Sequence, residues 1–255
     1  MVINRSLRLK DNHYFHDTIK KKQIYLHHTV GGSAKSSIEY WDSSDRCVAT
    51  AYVIERDGTI YEVFDPWYWA WHLGLKSADN TIRNKESVGI ELASEGALKS
   101  GYQLNSVLKQ QVFDEEWLYS FDIDIPPFKN AKKLYHILHD SDKFFDLIIP
   151  FRGYWYFDAY DDAQVRACHE LVAHLCVQFS IPRILLPKDE RFTFNPSYLE
   201  FNGIVTHCNV REDKTDLCPA WDWDALEQAL ATIEPDTNAN FNGGQSGGAG
   251  TAKPY

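Results

Sequence analysis

The chain is poor in the features that most directly mark a zinc ribbon, a disulfide framework or a membrane span. Its 255 residues include one methionine and five cysteines. The cysteine count is odd and no two cysteines form a C-x-x-C pair, which excludes a zinc ribbon and disfavours a disulfide framework. No run of about 18 apolar residues occurs, so we expect no transmembrane helix and no stable insertion into a membrane.

The first 22 residues also lack the apolar segment that a secretory signal peptide contains. This stretch is polar and ends in three lysines at positions 20–22. We therefore expect synthesis in the cytoplasm without a signal peptide, and we interpret residues 1–22 as an N-terminal leader packed on the domain.

The chain has fewer basic than acidic residues. The chain has 26 Lys and Arg residues against 36 Asp and Glu residues, which gives a net charge of −10 and a pI near 5.4. Binding to nucleic-acid phosphates requires clustered Lys and Arg. The composition therefore predicts no nucleic-acid partner, and we interpret the acidity as an aid to solubility.

The chain is rich in apolar and aromatic residues, which make up 44% and 14% of it and are arranged in short runs. Residues 49–64 predict a hairpin, because two β-rich runs flank the Asp57-Gly58 dipeptide. Buried strands are predicted at 24–28, 87–94 and 201–207, the last ending on His207. The predicted helices and their candidate N-caps are 36–43 with Ser36 or Ser37, 161–182 with Asp161 or Asp162, and the later part of 211–230 with Asp222 or Asp224.

Potential metal ligands stand where two of these strands end. His27 and His28 close the first strand, His207 closes the last, and Asp216 lies in the loop that follows it. Strand ends and a returning loop can bring such side chains together, and three protein ligands with one open position form the usual catalytic zinc site. From the spacing alone, strand-end histidines that serve only as hydrogen-bonded polar groups are about equally expected.

Six stretches, covering most of residues 24–94 and 154–226, add a resemblance to a known family. They are IYLHHTVGG, YVIERDGTIYEVF, AWHLG, SVGIELAS, YDDAQVRACHELVAHL and THCNVREDKTDLCPAWDW. In this order they resemble the zinc-dependent N-acetylmuramoyl-L-alanine amidases of the amidase-2 type, relatives of the peptidoglycan recognition proteins. The last stretch is the most specific, because it carries the family's His, K-T-D, P-A and aromatic-D-W pattern almost whole.

The resemblance implies an α/β fold, with a central mixed β-sheet flanked by helices and an inserted segment, and it implies Zn²⁺ as cofactor. The implied metal ligands are His27, His207 and Asp216. His28 is the alternative to His27, but neighbouring strand residues point to opposite faces, so only one of the two can serve. Cys218 is the alternative to Asp216, because some relatives use a cysteine before a proline.

The resemblance also implies roles for four further residues. Glu91 would be the general base, since the position at which other members carry a tyrosine base is Thr50 here. Lys214 would stabilise the oxyanion, and His72 and Asn84 would contact substrate. Without these roles, Glu91 would be a strand carboxylate paired with a basic residue, Lys214 a solvated lysine and His72 a core histidine.

The expected amidase domain spans residues 23–234. Within it, residues 95–153 have no counterpart that can be placed in the family, and they are read as an ordered insert of about one or two helices and a loop. Residues 235–255 are rich in Gly, Asn and Ser, which predicts a flexible tail.

The function implied by the resemblance is cleavage of peptidoglycan at the amide bond between N-acetylmuramic acid and L-alanine of the stem peptide. The insert and the tail favour a lytic enzyme that acts on the cell wall after release or delivery. It would be a phage endolysin released through a holin, or an effector delivered by a secretion system or a contractile injection device. The alternatives are a cytosolic recycling amidase for anhydro-muropeptides and a non-catalytic peptidoglycan-binding module, and the full set of candidate ligands disfavours the latter.

Overall fold

Strands and helices alternate along the chain, and the computed structural model describes them for residues 1–98 and 144–234. In these two ranges the strands are β1 (Ile3–Asn4), β2 (Gln23–His28), β3 (Tyr52–Ile54), β4 (Ile60–Glu62), β5 (Ser87–Leu92), β6 (Ala97–Leu98), β7 (Phe144–Phe151), β8 (Tyr154–Asp158) and β9 (Gly203–Thr206). The α-helices are α1 (Ala34–Ser43), α2 (Asn80–Lys85), α3 (Asp162–Gln178), α4 (His207–Val210) and α5 (Trp223–Thr232).

Six strands form the main sheet in the order β1-β4-β3-β5-β2-β9. Strand β2 is parallel to both of its neighbours, β5 and β9, whereas β3 is parallel to β5 and antiparallel to β4. Every residue of β2 is buried, as expected of a parallel strand that is covered on both faces. Helices α1 and α3 pack against β3, and α2 packs against β5. The predicted α/β fold, with a central mixed sheet flanked by helices, is therefore confirmed.

The N-terminal residues do more than lie on the domain. Strand β1 extends the edge of the main sheet by pairing in parallel with β4, with Ile3 opposite Ile60. Further along, Leu9 and Tyr14 are buried in the main hydrophobic core. The division of the chain into leader, catalytic domain and tail stays a prediction.

Both ends of the predicted insert belong to a second, smaller sheet with the order β6-β8-β7. This sheet is attached to the main core through Phe157 of β8, which is fully buried there, and through an ion pair between Arg56 and Asp158. The middle of the insert, 99–143, and the tail, 235–255, lie outside the described residues, so the predictions made for them stay predictions.

Several local predictions are confirmed. Strands β3 and β4 form the predicted hairpin, and Gly58 in its turn has a φ of 86°, which favours glycine. Helix α3 follows Asp161, and α5 follows Asp222, whose carboxylate accepts a hydrogen bond from the backbone N–H of Ala225. The buried strand predicted from residue 87 is β5, which lies inside the main sheet between β3 and β2. In the described part of the chain, no helix is both long and apolar enough to span a bilayer.

Several predicted boundaries differ from the structure: the strand predicted at 87–94 ends at Leu92, and the helix predicted at 161–182 ends at Gln178. Helix α1 is capped by Ser33 rather than by Ser36 or Ser37, because the helix begins at Ala34 and the Ser33 hydroxyl accepts from the Ser36 N–H at 3.2 Å. Strand β9 ends at Thr206, one residue before His207. A helical turn starts there, and Asn209 Oδ1 accepts from the N–H of Thr206 at 3.0 Å, so His207 opens α4 instead of closing the strand.

Candidate active site

The carboxyl ends of β2, β5 and β9 lie at one edge of the main sheet, because these neighbouring strands are parallel. The register of the three strands places their C-terminal residues side by side. His27 is opposite Glu91, and Leu26 is opposite Thr206, the residue that precedes His207. This edge is the usual place for a ligand site in an open α/β sheet. The strand ends therefore bring two of the sequence-predicted ligands and the predicted base to one location.

Three buried side chains converge at this edge. The Nδ1 atoms of His27 and His207 are 3.1 Å apart. Asp216 Oδ2 lies 3.1 Å from the former and 3.2 Å from the latter. In the residues that the structure describes, this trio is the group of His, Cys, Asp and Glu side chains whose spacing could hold a metal ion.

The spacing of the trio fits a tetrahedral zinc ion. Zinc bonds to histidine nitrogen and carboxylate oxygen are about 2.0–2.2 Å long, so two ligand atoms on one tetrahedral ion lie roughly 3.3 Å apart. The three observed separations, 3.1, 3.1 and 3.2 Å, are close to that value. The donor set of two imidazoles and one carboxylate is also one that zinc uses in catalytic sites.

A backbone carbonyl orients the His207 ring. Its Nε2 lies 2.8 Å from the carbonyl oxygen of Leu73. A carbonyl can only accept, so Nε2 carries a proton, and Nδ1 is the ring nitrogen that faces the trio. Such a hydrogen bond on the far side of a ligand ring is the arrangement that fixes metal-binding histidines.

A chain of three hydrogen bonds orients the His27 ring so that its Nδ1 atom also faces the trio. The Ser87 hydroxyl donates to the Arg83 carbonyl at 2.7 Å, so it accepts from His72 Nε2 at 2.9 Å. The other ring nitrogen of His72, Nδ1, then accepts from His27 Nε2 at 3.0 Å. With its proton on Nε2, His27 also presents an unprotonated Nδ1 to the trio.

Electrostatics keep the trio in the form that binds metal. Burial lowers the pKa of the His27 imidazole to about 4, so the ring is neutral near pH 7. For Asp216, burial alone would raise the pKa, but the imidazoles of His207 and His27 beside the carboxylate outweigh that effect. The pKa of Asp216 therefore lies well below its usual range, and the carboxylate is ionised.

Glu91 lies beside the trio with an unused acceptor. Its Oε2 atom is shielded from solvent and has no hydrogen-bond partner among residues 1–98 and 144–234. Burial, and then the negative charge of Asp216, raise the pKa of Glu91 well above its ordinary value. An unpaired carboxyl group with a raised pKa is suited to taking up and releasing a proton during a reaction.

The trio and Glu91 open into a cavity of about 490 Å³. The side chain of Lys214 lines the same cavity and brings positive charge to it. The rest of the wall includes apolar and aromatic side chains, among them Trp41, Val48, Trp71 and Tyr154. The arrangement offers a metal site, a base and a cation around one space that can hold a ligand.

The family model described as N-acetylmuramoyl-L-alanine amidase matches residues 17–221 of the chain. The chain belongs to this amidase family. The matched range includes the trio, Glu91 and Lys214, and the match confirms the family suggested by the sequence motifs. Among curated proteins, no sequence matches the chain.

Solved amidase structures resemble the chain at low sequence identity. AmiD from E. coli, in complex with anhydro-N-acetylmuramic acid-L-Ala-D-gamma-Glu-L-Lys, is 18% identical with a TM-score of 0.48. That match covers 84% of this chain but only 58% of the AmiD chain. PlyL is 15% identical with a TM-score of 0.48, covering 90% and 97% of the two chains. LysC from Clostridium intestinale is 11% identical with a TM-score of 0.44, covering 91% and 98%.

The two alternative ligands considered from the sequence, His28 and Cys218, lie outside the trio. His28 is directed to the other side of β2, with Nδ1 3.3 Å from the Tyr160 hydroxyl and Nε2 3.5 Å from Thr215 Oγ1. Cys218 is fully buried, with its Sγ 3.7 Å from the same Tyr160 hydroxyl. Burial raises the pKa of the Cys218 thiol to about 12, so the thiolate that zinc prefers is disfavoured.

The two predicted substrate contacts occupy different positions. His72 lines the cavity, although both of its ring nitrogens are engaged by His27 and Ser87. Asn84 is completely buried and has no exposed surface for a substrate. Its Oδ1 accepts from the N–H groups of His72 and Leu73 at 2.7 and 3.0 Å. The structure thus gives Asn84 a supporting role in place of the predicted contact, because it fixes the segment that orients both ligand histidines.

The sequence analysis did not identify the groups that hydrogen-bond to the candidate ligand histidines and orient them. The Leu73 carbonyl and the Ser87 hydroxyl hold His207 and, through His72, His27. Ser87 is the first residue of the S-V-G-I-E-L stretch, but a serine at a strand start carries no distinctive signal. A backbone carbonyl carries none at all.

Proposed function

We propose that the chain hydrolyses the amide bond between N-acetylmuramic acid and L-alanine in peptidoglycan, with Zn²⁺ held by His27, His207 and Asp216. One observation supports this most strongly: three deprotonated ligand atoms meet at tetrahedral spacing beside an unpaired carboxyl group, in a chain that belongs to the amidase family. A binding module would have no need of the unpaired Glu91, whose burial is unfavourable.

Each residue of the site has a separate task in this proposal. When bound, zinc supplies Lewis acidity and makes water a stronger acid. Glu91 accepts the proton of the water that attacks the amide carbonyl, and then returns a proton to the departing alanine nitrogen. The Lys214 ammonium stabilises the negative charge that develops on the carbonyl oxygen. The products are a glycan with a free lactyl carboxylate and a peptide with a new amino terminus.

The test uses purified protein with zinc on isolated cell walls. We expect one zinc per chain by elemental analysis, and release of peptides whose new amino terminus is L-alanine. Lys214→Met should lower kcat about 10²–10³-fold, because it removes one oxyanion-stabilising group, and should leave the zinc content unchanged. Binding to walls without new amino termini would instead support a non-catalytic module.

We further propose that the physiological substrate is the polymeric wall and that the enzyme is lytic. The support is the long insert and the Gly-rich tail seen in the sequence. Release through a holin, or delivery by a secretion system or injection device, would bring it to the wall. Rates on intact sacculi and on soluble anhydro-muropeptides separate the two roles: activity on soluble fragments alone would assign the enzyme to recycling and leave the amidase chemistry intact.

A further inference from the structure

The turn between β7 and β8 carries an arginine where a different residue is expected. Arg152 and Gly153 are the two central residues of this hairpin, since Phe151 pairs with Tyr154. Both have positive φ values, 51° and 85°. Two-residue turns of this type favour Asn, Asp or Gly at both positions, because a β-carbon is strained there. Position 153 follows the rule and position 152 breaks it.

The Arg152 guanidinium lies over the Phe151 ring, 5.3 Å from its centroid, and donates hydrogen bonds to one segment, residues 208–214. Its Nη1 donates to the carbonyl of Arg211 at 2.7 Å and also to that of Lys214. Its Nη2 donates to the carbonyl of Cys208 at 2.8 Å. The three acceptors are spaced three residues apart, so the segment bends around one side chain.

This segment joins the main parts of the active site. It begins directly after His207 and ends with Lys214, two residues before Asp216. Another hydrogen bond closes it, from the N–H of Cys208 to the carbonyl of Asp216 at 2.7 Å. Any change in the bend would therefore move the Lys214 ammonium and the Asp216 carboxylate relative to His207.

We propose that Arg152 is a positioning residue for the active site. By holding three carbonyls of residues 208–214, it sets the places of Lys214 and Asp216, and the small sheet built from the ends of the insert thereby supports the catalytic loop. This role rests on the proposed function, but it concerns a residue that none of the family motifs recognised in the sequence includes. The strained turn is explained by it, since the left-handed backbone aims the guanidinium at the loop.

The main test is Arg152→Asn, with Arg152→Met as a second variant. Asparagine is favoured in this turn, so the hairpin should persist while the three donated hydrogen bonds are lost. In metal-free protein, we expect amide hydrogen exchange of residues 208–216 to increase at least about tenfold, with other regions unchanged. In the zinc-loaded enzyme, we expect the Kd for zinc, measured by chelator competition, to weaken about 10–100-fold. We also expect kcat to fall more than KM changes.

Arg183→Met is a matched control. Arg183 also donates to three backbone carbonyls, those of Leu230 and Ile233 at 3.0 and 2.9 Å and that of Ala173 at 3.4 Å, but none of these acceptors belongs to residues 208–216. Its loss should lower the melting temperature without changing the zinc Kd or the exchange of residues 208–216.

Two results would overturn the proposal. One is wild-type exchange and wild-type zinc affinity in Arg152→Asn. The other is faster exchange spread evenly over the chain, which would make Arg152 an ordinary stabilising residue. A wild-type protein that binds no zinc and cleaves no wall would instead refute the proposed function, whereas the exchange experiment on metal-free protein would still decide whether Arg152 holds the loop.

Discussion

Replacing Glu91 with glutamine should change activity and stability in opposite directions. The substitution keeps the shape of the side chain and removes the group that we propose as the base. General acid–base catalysis contributes about 10²–10⁴-fold, so kcat should fall by that factor, or by about 3–5 kcal/mol of transition-state stabilisation. Zinc content should not change, because Glu91 is outside the ligand trio.

Stability should increase in the same variant when metal is absent. At neutral pH the folded state holds the Glu91 carboxyl group without a partner for Oε2 in the described part of the chain, and next to the charge of Asp216. An unsatisfied buried group costs about 1–3 kcal/mol. Relief of that cost should raise the melting temperature by about 2–4 °C per kcal/mol in a protein of this size.

The pH dependence of the free energy of unfolding provides a second test of the stability gain expected for Glu91→Gln. The pKa of Glu91 is raised on folding, so above pH 4.5 the folded state keeps a proton that the unfolded state has lost. The contribution of Glu91 to the free energy of unfolding therefore falls as pH rises from 4.5 through the folded-state pKa, by up to about 1.4 kcal/mol per pH unit. Urea unfolding of metal-free Glu91→Gln should lack this decline, so its advantage over wild type should be small near pH 5 and larger near pH 7.

Glu62→Gln is the matched control for both measurements. Glu62 is also a buried strand glutamate, but its carboxylate accepts from Arg5 at 2.9 Å and from Arg8 at 3.2 Å. The same substitution there should destabilise the protein by about 1–3 kcal/mol and leave kcat unchanged. If Glu91→Gln keeps a kcat within threefold of wild type, Glu91 is not the base. If it loses as much stability as Glu62→Gln, its carboxylate is paired and our account of the site is wrong.

Three further predictions concern the ligands and a buried lysine. His27→Ala should lose the bound zinc, measured by elemental analysis after dialysis, whereas His28→Ala should retain it; the reverse result would exchange their roles. Asp216→Asn should likewise lower the zinc content, whereas Cys218→Ser should not, because the Cys218 thiol contacts Tyr160 instead of the trio. Burial lowers the pKa of Lys21 to about 7, so the unfolded state binds an extra proton between pH 7 and 10.5 and stability from this group rises with pH in that window. Lys21→Met should flatten the rise in urea-unfolding free energy between pH 7.5 and 9, and an unchanged slope would contradict the shift.

Much of the fold could be predicted because it depends on local patterns, whereas the residues of the trio could be named because they match motifs of a known family. A strand alternates its side chains, so of two adjacent histidines only one can face the metal, and the structure directs His27 to the trio and His28 to Tyr160. The hairpin was predictable because Asp57-Gly58 has a conformational preference of its own. The cap of α1 was mispredicted because Ser33, Ser36 and Ser37 are chemically equal candidates, and only the start of the helix separates them.

The hydrogen bonds that orient the candidate ligands could not be predicted. They come from backbone carbonyls and common side chains, and the sequence does not show toward which residue such a group points. The Leu73 carbonyl fixes His207, but every residue has a carbonyl. Arg152 is informative only once its backbone is known to be left-handed, since an exposed arginine in a turn would otherwise be unremarkable. Only a few residue types can serve as metal ligands, so a candidate ligand can be recognised in the sequence. A group that orients a ligand needs only a hydrogen-bond donor or acceptor in the right place, which many side chains and any peptide bond can supply. For this reason the insert, which has no recognised catalytic motif, can still determine where Lys214 and Asp216 lie.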